Sequence, residues 1–307
     1  MHGNSRSIYD VKYIVHTLTL SQSQLPEGAT LLGVILSSNK TNISVMSGNH
    51  MAHLLLLSLA NINADICSKG SLHGFLLLAL LPVASFIHKK SRVRSLLSNC
   101  LIHQCLGLIL KPLKVAAAIG VMMSDPVGNL CRCHTPLVAY ITDTPEQSLI
   151  ACTSPKASLV STAIYKEFGD GIRHPPCMAT DTLGVIKTMC AKSPPMDLLE
   201  FLKAAKTHQL NGVFELFWRN HFGSEPSRFL LPEMLHHFHC FFFNHDLQWC
   251  IGAVGSEELD YCFTLIHTLV GYRLFSEGVS KLKQVTGRDH YAIQRYIIGI
   301  VAGAVPP

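Results

Sequence analysis

Hydrophobic and polar positions between Leu31 and Ile62 set the pattern from which the rest of the chain can be read. The run GVILSS is aliphatic and β-branched and too short for a buried helix; polar S-S-N-K-T interrupts it, and alternation resumes with Ile43, Val45 and the leucines beyond His53. This predicts a strand, a turn and a second strand. Asn39 then stands at the end of the first strand, where open α/β sheets gather their polar chemistry because strand ends border a crevice.

The pattern changes period from Ser91 to Ile119. Apolar residues recur there at helical spacing, with Leu96, Leu97, Leu101, Leu106, Leu108 and Leu113 as the candidate buried stripe, and Pro112 is expected to kink or split the helix. Val121 to Met123, the turn Asp125 to Asn129 and the residues from Leu130 onward read as a hairpin. Leu137 to Ile141 is a buried strand that ends in Thr142-Asp143-Thr144-Pro145, so Asp143 repeats the placement of Asn39. Residues 152–195 are rich in Ser, Thr, Pro and Gly and read as irregular, with one short helix around Thr182 to Cys190. Asp197 is a helix N-cap, Pro232 opens another helix with Glu233 in its first turn, and a last helix begins near Asp289.

Composition narrows the class. The chain has 307 residues, 48% hydrophobic and 15% charged, enough to build a sizeable core. The net charge of +5 is too mild to mark a nucleic-acid footprint, which would need local clustering. Eleven cysteines without any C-x-x-C pair argue for a reducing compartment. The N-terminus has no apolar signal core, so the expectation is a nuclear or cytoplasmic protein, not a secreted one, and the sequon Asn42-Ile-Ser44 carries no weight. Gly70 to His88 lacks acidic residues, lysine and arginine until the basic run that follows. Pro82 interrupts an apolar core shorter than the roughly 20 residues of a spanning helix, which predicts a buried strand or helix and no stable membrane association.

Four constellations could carry chemistry. Paired divalent ions need oxygen ligands on rigid elements, and Asp143, Glu233 and, in reserve, Asp246 are of that type, although each is first a capping or turn residue. His236 and His239 share a helical face near His237, Cys240, His245 and Cys250, and Cys131, Cys133 and His134 form a looser group; neither has the spacing of a zinc site. Basic runs occur at His88 to Arg94, with Lys89, Lys90, Arg92 and Arg94, and at Lys281, Lys283, Arg288, His290 and Arg295; they suit phosphate contact or simple solvation. No nucleophile elbow, P-loop or dinucleotide fingerprint is present, which leaves hydrolase, P-loop and dinucleotide readings unsupported.

Several ordered stretches carry a resemblance. GVILSSNKTNISVMSGNHMAHLLLLSLANI, TPLVAYITDTPEQ, FGDGIRHPP, FWRN, SEPSRFLLPEMLHHFHCFFFNHDLQWCIGAVGSEELDYCF and GYRLFSEGVSKLKQVTGRDHYAIQRYIIGIVAGAVP resemble the transposase domain of the fungal Plavaka family, relatives of the CACTA-type cut-and-paste transposases. The resemblance implies an α/β, RNase H-like mixed sheet with flanking helices. Residues 1–30 are then an extended lead-in, 31–150 the core, 151–195 an irregular insertion and 196–307 a helical C-terminal part, continuing in the family into more protein.

It also implies an acidic triad that holds Mg²⁺ or Mn²⁺ for phosphoryl transfer on transposon-end DNA, in a protein able to form homo-oligomers. The second acid falls on Asp143, the third on Glu233 with His236 in support, and the first on Asn39, where the family pattern has aspartate. An amide supplies no bridging charge, so this copy is expected to be inactive, with a non-catalytic DNA- or protein-binding remnant as the alternative and a small membrane protein further off. Asn99-Cys100, Asn220, Cys240, Asn244 and Cys262 stand where the family suggests Asp-Arg, Asp, a basic residue, Asp and Arg. Single transitions connect Asp with Asn and Arg with Cys, in the manner of a decaying element.

Overall fold

The computed structural model describes residues 25–43, 50–67, 69–223, 225–230, 239–266, 273–282 and 285–302. Two compact units divide the chain, residues 1–231 and 232–307.

The first unit is α/β and contains two mixed sheets. Strands β2 (Val34–Asn42), β3 (Met51–Leu59) and β4 (Leu76–Leu81) form an antiparallel meander, and β7 (Leu137–Ile141) lies on the far side of β2 and parallel to it, giving the order β4-β3-β2-β7. A smaller sheet has the order β1-β6-β5, from β1 (Thr30–Leu31), β5 (Val121–Ser124) and β6 (Leu130–His134), with β1 parallel to β6 and the expected hairpin joining β5 to β6. The two sheets meet where β1 steps into β2 beside β6 stepping into β7. There Leu32 N–H donates to the His134 carbonyl at 2.8 Å and Val34 N–H to the Pro136 carbonyl at 2.9 Å.

Helix α1 is a single turn (Ala64–Cys67). The long helical pattern splits as Pro112 requires, into α2 (Ser91–Ile109) and α3 (Lys111–Ile119), with an angle of 54° at the break. Then come α4 (Thr144–Ala151), α5 (Ala179–Lys192), α6 (Leu198–Thr207) and a turn, α7 (Pro226–Phe229). Asp197 caps α6 by accepting from Glu200 N–H, as its position suggests. Between α4 and α5 the chain is irregular, and the short helix expected around Thr182 to Cys190 is the fourteen-residue α5.

One face of the large sheet supplies Val34, Leu36, Leu55 and Tyr140 to a core shared with Ile102, Leu106, Leu110, Ile150, Phe217, Trp218 and Phe229. Burying each such side chain contributes about 1.5–3 kcal/mol, which is why these elements hold together. His103, inside this core, joins three segments: its Nε2 bonds the Leu149 carbonyl at 3.0 Å, and its Nδ1 accepts Phe217 N–H at 3.2 Å. Burial pushes its imidazole down to about 4, against the pull of the Leu149 carbonyl. On the opposite face of the sheet a smaller cluster of Ile35, Val138 and Ala139 is buried, with Phe75 and Ala60 against them.

Three expectations are corrected. S-S-N-K-T is not a turn: β2 runs on to Asn42, because pairing with β3 continues through Asn42 opposite Met51. The apolar run after Gly70 does form a strand, but not a buried one: β4 is an edge, with Leu76, Leu77, Leu78 and Leu80 exposed and Leu81 alone fully enclosed. Leu108, assigned to the buried stripe, is exposed, since the core-facing side of α2 passes through Val93, Leu96, Ile102 and Leu106. Among the described residues no single helix is long and apolar enough to cross a membrane; α2 and α3 together pass only as a bent pair.

The second unit is helical: a π-helical turn (Phe242–Asp246), α8 (Leu247–Val254), α9 (Ser256–Thr264) and α10 (Gly287–Val301) enclose Leu247, Leu259, Phe263, Phe275, Val279, Ile293 and Ile297. Thr286 caps α10 and Asp289 returns the bond, a capping box that fixes where this helix starts. Gly278, at φ 78°, lets the chain pass so near Asp260 that a Cβ there would lie 2.2 Å from its Cγ. Asp260 in turn accepts Val279 N–H at 2.7 Å and Ser280 N–H at 2.8 Å.

Candidate active site

The candidate site starts from one register. Ser37 on β2 is level with Ile141 on β7. The pairing stops there; Asn39 lies two residues further along β2 and Asp143 two residues beyond the end of β7, both exposed. Asn39 is therefore not at the end of its own strand but beside the end of the neighbouring one. Asp143 follows β7 directly and is the N-cap of α4, its Oδ1 accepting Glu146 N–H at 2.9 Å. A capping carboxylate at a strand end and helix start is held rigidly.

Directly beneath lies a polar group that the sequence reading passed over. Glu146, in the first turn of α4, is buried, and its Oε1 accepts the Ser38 hydroxyl at 2.6 Å. His53 Nε2 lies 3.0 Å from Oε1 and 3.2 Å from Oε2 of the same carboxylate. Ser38 belongs to β2 and His53 to β3, so one carboxylate bonds two strands and the helix. Burial alone would raise the Glu146 carboxyl, but the hydrogen bonds from His53 and Ser38 outweigh it and hold the group below the usual carboxylate range. The neighbouring Tyr140 hydroxyl is pushed up, by burial first and by the Glu146 charge second.

A usable signal existed in the phase of the strands. Ser38 follows Leu36, and His53 precedes Leu55, on the side where Leu36 and Leu55 are wholly buried. Polar side chains in a core-facing phase need partners.

Residues 9–250 match the family described as Plavaka transposase. The chain belongs to the Plavaka transposase family. No curated protein matches it.

In this Plavaka chain the other sequence candidates fall as follows. Glu233, His236 and Lys283 lie outside the described residues. Asp246 is half-buried at the end of the π-helical turn and belongs to the second unit, whereas Asn39 and Asp143 belong to the first. His239 Nδ1 bonds Gln294 Oε1 at 2.6 Å. Cys131 and Cys133 share one phase of β6 while His134, in the other, bonds the Ala117 carbonyl at 3.0 Å, so strand alternation divides that trio. Lys89, Lys90, Arg92 and Arg94 are exposed at the start of α2, and Arg94 bonds the His88 carbonyl. Lys281 is exposed in the second unit, and Arg288 lies in the first turn of α10.

Among the described residues no group of three His, Cys, Asp or Glu side chains could hold a metal ion. Asp143 Oδ1 accepts the Glu146 N–H, and Glu146 has its oxygens turned to Ser38 and His53. Glu233, the third acid that the resemblance implies, lies outside these residues.

Proposed function

We propose that this chain is the RNase H-like catalytic domain of a DNA transposase in a copy that has lost its first acidic ligand and no longer cuts DNA. The observation that carries the reading is the parallel pairing of β2 with β7, with Asn39 and Asp143 each two residues beyond its last pair, Ser37 and Ile141. The strand order supports the RNase H-like assignment: an antiparallel meander with its first strand flanked by a later parallel one, after helical chain. In such a sheet the first and second acids belong on those two strands, and here one of them is an amide. Asp143 and Glu233 are the assigned metal ligands, with His236 in support and Mg²⁺ or Mn²⁺ the ions of an intact member. The expected substrate is transposon-end DNA.

Calorimetry with Mg²⁺ or Mn²⁺ on the natural chain beside an Asn39→Asp variant tests this. Binding by the aspartate variant alone supports the assignment. Absence of binding by both folded proteins moves the reading to a non-catalytic remnant that keeps DNA or protein contacts, for which the neutral Asn39 already argues.

A further inference from the structure

A second polar site lies away from Asn39 and Asp143, on the segment Phe217 to Glu225. Trp218 is wholly buried and anchored, its indole N–H donating to the Ile150 carbonyl at 2.8 Å. The chain then turns through Asn220, whose φ of 60° is the left-handed region that asparagine tolerates better than most residues. The turn leaves Arg219 and Asn220 exposed and carries His221 back into the protein, where it is 5% exposed. These residues, with Gly223, Glu225 and Arg228 and with Ala179 and Leu183 of α5, line a pocket of about 290 Å³.

His221 is the telling group. Both of its ring nitrogens are buried without a hydrogen-bond partner among the described residues. The Thr135 backbone lies close enough to pull on the ring as a hydrogen-bond partner, though neither nitrogen meets strict bonding geometry with it. Buried polar atoms in native proteins are nearly always satisfied, so such a histidine on a pocket wall asks for a ligand. The surroundings state the charge of that ligand. Arg219 and Arg228 line the same pocket, and Lys114 stands behind it, donating to the Arg219 carbonyl at 3.3 Å. The one carboxylate, Glu225, is engaged, its Oε2 accepting the Ala179 N–H at the start of α5 at 2.7 Å.

The geometry points to a phosphate-binding pocket, in which Arg219 and Arg228 hold the oxyanion and His221 donates to it from the buried wall. Planar guanidinium forks match phosphate oxygens two at a time. The phosphate can belong to a nucleic-acid backbone or to a free phosphate compound. Thr135 precedes β7 and Asp143 follows it, so the pocket and the acid position lie at opposite ends of that strand, and this inference is independent of the proposed acid site.

The test is a titration of the intact chain with inorganic phosphate, read by ³¹P line width and by the ring ¹⁵N signals of His221. Burial first, against the pull of the Thr135 backbone and with the Lys114 charge behind it, holds this imidazole down at about 4. The expected result is saturable binding that raises the His221 titration midpoint. A chain carrying Arg219→Gln and Arg228→Gln, both at exposed positions, keeps its urea midpoint and binds at least tenfold more weakly. A short DNA duplex is then added: displacement of phosphate identifies a backbone site, and its absence a site for a free phosphate compound. No saturable binding, or binding unchanged in the double variant, overturns the inference.

Discussion

His53 and Glu146 meet at 3.0 Å with both side chains closed off from solvent, and this contact joins the central hairpin to the first turn of α4. Removing one partner from a buried hydrogen-bonded pair costs more than the pair contributes, because the other is left stranded. Glu146→Ala strands the His53 ring and the Ser38 hydroxyl together and is expected to lower stability by about 2–5 kcal/mol. Glu146→Gln keeps an acceptor and costs less. Urea denaturation of the two variants beside the parent measures the difference; equal losses would mean that the contact contributes little.

Acid sensitivity has two separable sources. His103 and His221 are both pushed by burial from 6.5 to about 4. The unfolded chain therefore binds more protons than the folded one between those values, and stability falls as pH drops through that window, by up to about 1.4 kcal/mol per pH unit for each histidine. Glu146 acts lower down. Its folded carboxyl is below the ordinary 4.5, so its contribution is present above that value and is lost as pH falls through the depressed one. Urea midpoints measured from pH 7 to pH 3 should show the upper slope reduced in His103→Asn and the lower one reduced in Glu146→Gln.

Cys262 faces Glu258 one turn earlier on α9, with Sγ 3.8 Å from Oε1. Glutamate four residues before a cation is the favourable orientation on a helix. If an arginine once stood here, Cys262→Arg restores an exposed pair and is expected to gain about 0.3–0.5 kcal/mol in urea denaturation, a gain that Glu258→Gln removes. Cys100 has a similar neighbour: burial first and the Glu215 charge second push its thiol up to about 11. Cys100 should therefore resist alkylation near neutral pH, as should Cys152, which burial pushes up to about 12.

The edge strand β4 presents Leu76, Leu77 and Leu80 at 59%, 59% and 64% exposure. An open strand edge with apolar side chains is a template for pairing with another chain. Leu80→Lys is expected to reduce concentration-dependent light scattering while leaving the urea midpoint within about 0.5 kcal/mol of the parent.

What could be read from the sequence was whatever depends on near neighbours. β2, β3, β5, β6 and β7, the break at Pro112, the Asp197 cap and the start of α10 all follow from spacing and capping within a few residues. Exposure of β4 was not legible, because a run of leucines reads alike whether or not anything covers it. The extent of β2 was missed because pairing with β3 overrode the turn preference of S-S-N-K-T. The Asn39 and Asp143 positions came from the habit of placing polar residues after apolar strands, but Glu146 was hidden, since it lies within an ordinary helix-start motif and its partners Ser38 and His53 are 108 and 93 residues away.

The parallel pairing of β2 with β7 also sets an order of events during synthesis. Val34 and Ile35 emerge from the ribosome long before Leu137 and Ala139, their partners, exist. The meander of β2, β3 and β4 can form early from local contacts, but one long side of β2 must wait, unpaired and aliphatic, until about a hundred further residues are made. At roughly 5–20 residues per second that interval lasts some seconds, in which that side of the half-built sheet stays without its partner strand.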